Sequence, residues 1–223
     1  NFAGDGTVHL IYWACNPSGQ GIEPIGTFNA DTLENLTIQG PKREKWGRGT
    51  KLLPPLQYFL DHKMKESPWS LIIFITDGII EDLDEVKLYC MQVGKDIADN
   101  KRKNIKLVLL GVGEEVDESQ MEELDDMFEG TELEDPEGNE IDLWCHKLAS
   151  DMQRMEEVFA EVVSENTTVA PNGKILDSDG NVIANYADGL PAKFRFNMPK
   201  NSKSFTLELA NGSITQDISE VFL

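Results

Sequence analysis

Basic residues are scarce in this chain: twenty Lys and Arg stand against forty Asp and Glu, a formal charge of −20 over 223 residues. Binding phosphates needs clustered cations, so this balance argues against nucleic acid as a partner. Long apolar runs are missing too. No stretch approaches the roughly 18 residues of a membrane span, and no signal peptide is visible. Cysteine is sparse, with only Cys15, Cys90 and Cys145. They are odd in number, far apart and without metal-ligand spacing, and so read as buried thiols of a reducing, cytoplasmic setting. Neither a Gly-x-x-x-x-Gly-Lys-Ser/Thr loop nor a Gly-x-Ser-x-Gly elbow occurs. His9, His62 and His146 have no nucleophile at recognisable spacing. The chain therefore reads as a non-enzyme.

What is present centres on Leu71-Ile72-Ile73-Phe74-Ile75-Thr76-Asp77-Gly78. An unbroken apolar run between Pro68 and Gly78 is the pattern of a strand buried on both faces of a parallel sheet. Ligands of open α/β sheets bind at the carboxyl ends of strands, which is where Asp77 falls. A carboxylate followed by a turn-forming glycine suits a hard cation, or else caps the following helix. Upstream, Gly47-Arg48-Gly49-Thr50 precedes the apolar stripe Leu52, Leu53, Leu56, Phe59 and Leu60, with Pro54 and Pro55 in the first turn of a helix.

A glycine-flanked threonine entering a helix, then an apolar strand ending in Thr-Asp-Gly, resembles the second half of a von Willebrand factor A (vWA) domain. That family's metal-ion-dependent adhesion site combines an Asp-x-Ser-x-Ser loop after the first strand, a Thr on a second loop and an Asp after the fourth strand. The resemblance makes Thr50 the second element and Asp77 the third. It implies Mg²⁺, Mn²⁺ or Ca²⁺ as the ion, with a protein partner completing the coordination through a carboxylate. The first element is absent. Asp217-Ile218-Ser219-Glu220-Val221 lacks the last Ser, and Asp5-Gly6-Thr7 precedes a strand rather than following one. The chain starts at Asn1 just ahead of Thr7–Cys15, which the resemblance makes the family's second strand. An upstream segment or a second chain is therefore expected to fill the central slot between Val8–Ala14 and Leu71–Ile75.

The remaining elements follow from periodicity. Val8–Cys15 and Ile22–Asn29 flank turn formers and read as a hairpin. Asp31–Ile38 reads as a short helix capped by Asp31. Gly40–Gly49 is a basic loop (Lys42, Arg43, Lys45, Arg48) that presents Trp46 and Arg48 as candidate partner contacts. Val86, Tyr89, Cys90, Val93 and Ile97 mark a helix capped by Asp82 or Asp84. Ile105–Gly111 is a second buried strand, and Met121, Leu124 and Phe128 mark another helix. Leu143-Trp144-Cys145 is a short strand, and Leu148 to Val162 line a longer helix. From Glu114 to Asp142 there are fifteen carboxylates and no Lys or Arg, read as a solvated face, with docking of a basic partner as the sharper alternative.

Strands alternating with helices predict an α/β fold, a doubly wound, mostly parallel sheet over residues 1–166. Residues 167–223 predict a β-rich module, part of a β-sandwich. Its strands are Lys174–Leu176, Val182–Ala184, Ala192–Asn197, Ser204–Leu209 and Ser213–Ile218. Asp177, Asp179 and Asn181 open like a calcium loop but lack the closing Glu, so they read as a hairpin turn. The functional expectation is a protein–protein interaction module of vWA type. The alternatives are a metal-independent scaffold with a degenerate site and a phosphoryl-transfer hydrolase. Phe-Ile-Thr-Asp-Gly looks superficially like a haloacid-dehalogenase strand, but position 75 is Ile where that chemistry needs a second Asp.

Overall fold

The computed structural model describes residues 7–67, 70–152, 168–170, 172–187, 189–191, 194–200, 202–210 and 212–219. The chain divides into two compact units, Asn1–Arg154 and Met155–Leu223, so the division falls before the boundary at 166 expected from composition. The fold is mixed α/β, with one three-stranded parallel sheet and several antiparallel ones.

In the first unit, β1 (Thr7–Cys15) and β2 (Gly21–Asn29) form the expected antiparallel hairpin. The short helix α1 (Ala30–Glu34) follows. Its cap is Asn29 rather than Asp31: the Asn29 side chain accepts from Thr32 N–H, and the Thr32 hydroxyl accepts from Asn29 N–H. This reciprocal box moves the cap two residues upstream, and the helix ends at Glu34 rather than Ile38. Helix α2 (Leu53–Gln57) has prolines in its first turn and runs into a π-helical turn, Tyr58–Lys63, where Met64 N–H reaches back to Phe59 C=O at 2.8 Å. Beneath it, β3 (Ser70–Thr76), β4 (Ile105–Gly111) and β5 (Trp144–Leu148) pair in parallel, in that order. The crossovers carry α3 (Leu83–Ala98) and α4 (Glu118–Asp125).

Alternate residues of β3 and β4 point to opposite faces. Ile72, Phe74, Leu107 and Leu109 share one core with Leu56, Phe59 and Leu60, with Val86, Cys90, Val93 and Ile97, and with Met121, Leu124 and Trp144. On the other face Val108 and Leu110 are buried, while Leu71 and Ile73 are partly exposed and Ile75 is 51% exposed. Helices α2, α3 and α4 all add to the first core, whereas α1 contributes nothing to it. The Trp144 indole N–H points at the Cys90 sulfur, 3.4 Å away, and burial pushes that thiol up to about 12, which makes it an inert packing group. Cys15 is likewise buried, but Cys145 is only half-buried, contrary to the expectation for all three. The strand expected at Leu143–Cys145 runs instead over Trp144–Leu148. Leu148, assigned to a long helix, ends this strand and leads into a 3₁₀ turn at Ala149–Asp151. Met152, also assigned to that helix, is extended, and the helix expected beyond it lies outside the described residues.

In the second unit, β10 (Ser204–Leu209) and β11 (Gly212–Asp217) form a hairpin, as do β7 (Gly173–Leu176) and β8 (Val182–Tyr186), and the sheet order is β11-β10-β7-β8. A separate pair joins β6 (Thr168–Ala170) to β9 (Leu190–Pro191). The strand expected at Ala192–Asn197 does not form over 194–197, where the backbone is irregular. Phe194 and Phe196 there extend an aromatic row from Tyr186 to Phe205. The β7–β8 turn is closed by the Asp177 carboxylate, which accepts from the backbone of Asp179 and Asn181 while the Asn181 amide donates to both its oxygens. The loop Asp135-Pro-Glu-Gly-Asn139 in the first unit uses the same bonds, with Gly138 and Gly180 both at φ +84°. Both Asp177 oxygens are thus committed to the turn, as the hairpin reading requires.

Gly94 of α3 shows how tight the first core is. A Cβ there would lie 2.5 Å and 2.8 Å from ring atoms of Phe128, which is itself buried. Ala favours helix by about 1 kcal/mol over Gly, but overpacking a dense core costs about 1–3 kcal/mol. Gly94→Ala is therefore expected to lower the thermal midpoint despite the better helix former, which calorimetry would measure.

Candidate cation and docking site

The carboxyl end of β3 is the part of the sheet that sequence reasoning singled out, and several contacts build it. Thr76 hydroxyl lies 3.3 Å from Gly78 N–H, while Thr76 C=O accepts from Val112 N–H at 2.8 Å, tying the turn to the end of β4. Beyond the turn, Thr50 and Ile80 form a parallel bridge, and Glu81 N–H donates to Thr50 C=O at 2.9 Å. Gln120 clamps Ile80 from α4: its side-chain oxygen accepts from Ile80 N–H at 2.8 Å and its amide donates to Ile80 C=O at 3.0 Å. Held on both sides, Asp77, Gly78 and Ile79 bulge outward, with Asp77 and Ile79 exposed.

Asp82 has a role the sequence did not reveal. It occupies the N-cap position of α3 but makes no side-chain cap there. Instead its buried carboxylate accepts from Leu52 N–H at 2.8 Å and Leu53 N–H at 3.0 Å, the unpaired donors at the start of α2. The acidic residue after β3 thus caps a helix thirty residues upstream in the chain. Its pattern, an Asp at the head of an apolar helical stripe, is that of an ordinary local cap, so nothing local distinguishes the two.

These contacts bring Thr50 beside Gly78, the residue that follows Asp77. A Cβ on Gly78 would sit 3.1 Å from the Thr50 hydroxyl, so only glycine next to Asp77 leaves this approach without crowding. Neither the Asp77 carboxylate nor the Thr50 hydroxyl bonds to a described residue. Glu81 lies over Gly49, where a Cβ would meet its carboxylate at 2.2 Å. Yet among the described residues no group of three or more His, Cys, Asp or Glu side chains could hold an ion. One carboxylate and one hydroxyl suit only a hydrated Mg²⁺-like ion that keeps most of its waters, so the residues fit a divalent cation in part.

The basic loop is organised by a residue that sequence reasoning passed over. Glu23 of β2 is buried, and its two oxygens accept backbone N–H bonds from Lys42, Arg43 and Glu44 at 2.8–2.9 Å. Those bonds, Glu44 and Lys42 foremost, hold its carboxyl below the ordinary glutamate range. The loop then pairs with the end of β1 through a Cys15–Trp46 bridge, Asn16 N–H to Lys45 C=O, and Gly47 N–H to Ala14 C=O. Gly47 packs against this turn so closely that a Cβ would lie 2.6 Å from the carbonyl oxygens of Ala14 and Asn16. Trp46 is 58% exposed, edge-on to Tyr12, and Arg48 is exposed between the two glycines. The loop runs on into the candidate residues, since Arg48 is two residues from Thr50.

No family model, no curated protein and no solved structure matches this chain. The vWA resemblance therefore rests on the residues quoted for it. No helix among the described residues is long and apolar enough to cross a membrane. Two of the histidines have packing partners: His9 bonds the Tyr58 hydroxyl and the Thr27 hydroxyl, and His146 lies 2.6 Å from Asp125.

Two tests follow from the geometry. Asp82→Ala leaves two helix-start donors unpaired in a buried place, which costs about 1–3 kcal/mol; chemical denaturation should show that loss, with Asp82→Asn recovering part of it. For Glu23, the folded value is depressed, so its stabilisation is full above the ordinary range near pH ~4.3 and is lost as pH falls through the lower folded value. The Trp46 indole resonance should shift in that acid window in the wild type, whereas Glu23→Gln should show the shifted position already at neutral pH.

Proposed function

We propose that the chain is a protein–protein interaction module of vWA type, with a doubly wound sheet, that binds a partner through a divalent cation at the carboxyl end of β3. The observation that supports this reading is Thr50 lying beside Gly78, the residue after Asp77: the Thr50 hydroxyl and the Asp77 carboxylate are both without described hydrogen-bond partners, next to a turn braced by Asp82, Gln120 and the Thr50–Ile80 bridge. In this role Asp77 supplies the charge and Thr50 a neutral oxygen, directly or through water. The remaining positions are left to water and to a carboxylate of the partner, the arrangement a hard cation with an incomplete protein cage requires. Trp46 and Arg48 then flank the ion as an aromatic and a cationic contact, residue types that dominate interface energetics.

A metal-independent scaffold is the second reading, favoured by the lack of any three-residue ligand group among the described residues. Calorimetric titration with Mn²⁺ separates the two. The cation reading expects weak binding that Asp77→Ala abolishes and Thr50→Ala reduces several-fold, with the thermal midpoint of both variants close to the wild type because both side chains lack structural bonds. Affinity unchanged in Asp77→Ala would remove the site assignment, and no binding by the wild type would leave the scaffold.

A further inference from the structure

Helix α3 buries one stripe and exposes another. Val86, Cys90, Val93 and Ile97 turn into the core. Asp84, Lys87, Leu88 and Met91 stand at i, i+3, i+4 and i+7 and so share a second row along the helix. Together with Met127, from the turn Asp126–Phe128 that follows α4, they line an open hollow of about 400 Å³. Leu88 is 73% exposed, the most exposed large apolar side chain among the described residues, while Met91 and Met127 are half-buried and pack against the core behind them. A single exposed leucine is ordinary on a protein surface. This one lines a concavity together with two methionines, unbranched side chains that repack around whatever enters.

The charge around the hollow is of one sign. Lys87 is the one cation that lines it, and its ammonium is held by Glu123 of α4 at 2.9 Å. Met127 belongs to the segment from Glu114 to Asp142, with fifteen carboxylates and no Lys or Arg, and Asp126 and Glu129 on either side of it in the chain are exposed. Three of the fifteen, Glu123, Asp125 and Asp142, meet Lys87, His146 and Lys106, and Asp135 is committed to its own turn. An acidic rim attracts a cationic occupant and repels an anionic one. That disfavours a second copy of this chain, whose formal charge is −20, and it disfavours an anionic lipid surface.

We propose that this hollow docks a basic amphipathic helix of a partner protein. Apolar side chains of that helix enter between Leu88, Met91 and Met127, and its Lys or Arg residues meet Asp84 and the carboxylates around Met127. Apolar burial supplies the affinity of such a contact, and the surrounding charges supply its selectivity and orientation. A helix is the matching form because the row 84, 87, 88 and 91 presents a helical ridge, and apolar anchors at i, i+3, i+4 and i+7 of a second helix interleave with such a ridge. None of these residues belongs to the cation reading, so the two proposals stand or fall separately.

The test titrates the full chain with a synthetic peptide of about four helical turns, Leu at i, i+3, i+4 and i+7 and Lys elsewhere, and follows the methyl resonances of Met91 and Met127 by NMR. Both methyls are expected to shift. Leu88→Ser should weaken binding about tenfold, with an unchanged thermal midpoint because Leu88 is exposed, and Asp84→Lys should weaken it several-fold. The same peptide with Glu in place of Lys should not bind, and a scrambled Leu–Lys peptide should bind about tenfold more weakly. Binding of the Glu peptide as tight as that of the Lys peptide would reduce the hollow to an uncharged apolar site and overturn the basic partner. Unchanged affinity in Leu88→Ser would mean that the peptide merely coats the acidic surface, and would overturn the docking site. So would the absence of any shift at Met91 and Met127. Shifts that follow protein concentration alone would assign the hollow to a second copy and overturn the partner.

Discussion

The Asp82 carboxylate ties together the end of the first unit at which β3 terminates. By accepting from Leu52 and Leu53, it fixes the start of α2 against the turn that follows β3. A buried carboxylate without partners would be costly, and so would two buried amides without acceptors; satisfying both at once makes the junction stiff. With α2 anchored there, the residues just before it are drawn alongside Ile80, and Thr50 comes to rest beside Gly78. The Gln120 clamp on Ile80 extends the same junction to α4. Asp77 is left outside this braced set, with nothing described to neutralise it.

A second buried carboxylate does similar work for the basic loop. Glu23 uses its two oxygens to gather three consecutive backbone amides, so a loop rich in Lys and Arg is ordered through its main chain rather than its charges. Lys42, Arg43, Lys45 and Arg48 are thereby left exposed. In both cases an acid buried on one element organises the backbone of another, which explains why positions 42–53 can be at once irregular and well defined. Asp135 and Asp177 use the same chemistry locally, each closing its own Asp-x-x-Gly-Asn turn.

Two different uses of strands coexist in the chain. β3 and β4 are mainly apolar, with Lys106 of β4 their one charged residue and β4 running between β3 and β5, whereas the sheet of the second unit is half-exposed and ends in β11, exposed along its whole length. β3 pairs with β4 on one side and carries neither charge nor proline.

Strands and hairpins were legible because a two-residue period and turn-forming residues act over short distances: Leu71–Thr76, Ile105–Gly111, the Val8–Asn29 hairpin and the Asp177–Asn181 turn could all be read locally. Thr50 and Asp77 stand out for the same local reason, each next to a glycine, and only their place beside the β3 turn is tertiary. What tertiary structure alone decided are the long-range bonds. Asn29 displaced Asp31 as a cap because its reciprocal partner Thr32 was in reach, and Asp82 capped α2 instead of α3 because the β3 turn placed it there. Phe194 and Phe196, strand-like by alternation, remained irregular while stacking in an aromatic row. Alternation states which side chains want a common face, but only the fold supplies a neighbouring backbone to pair with.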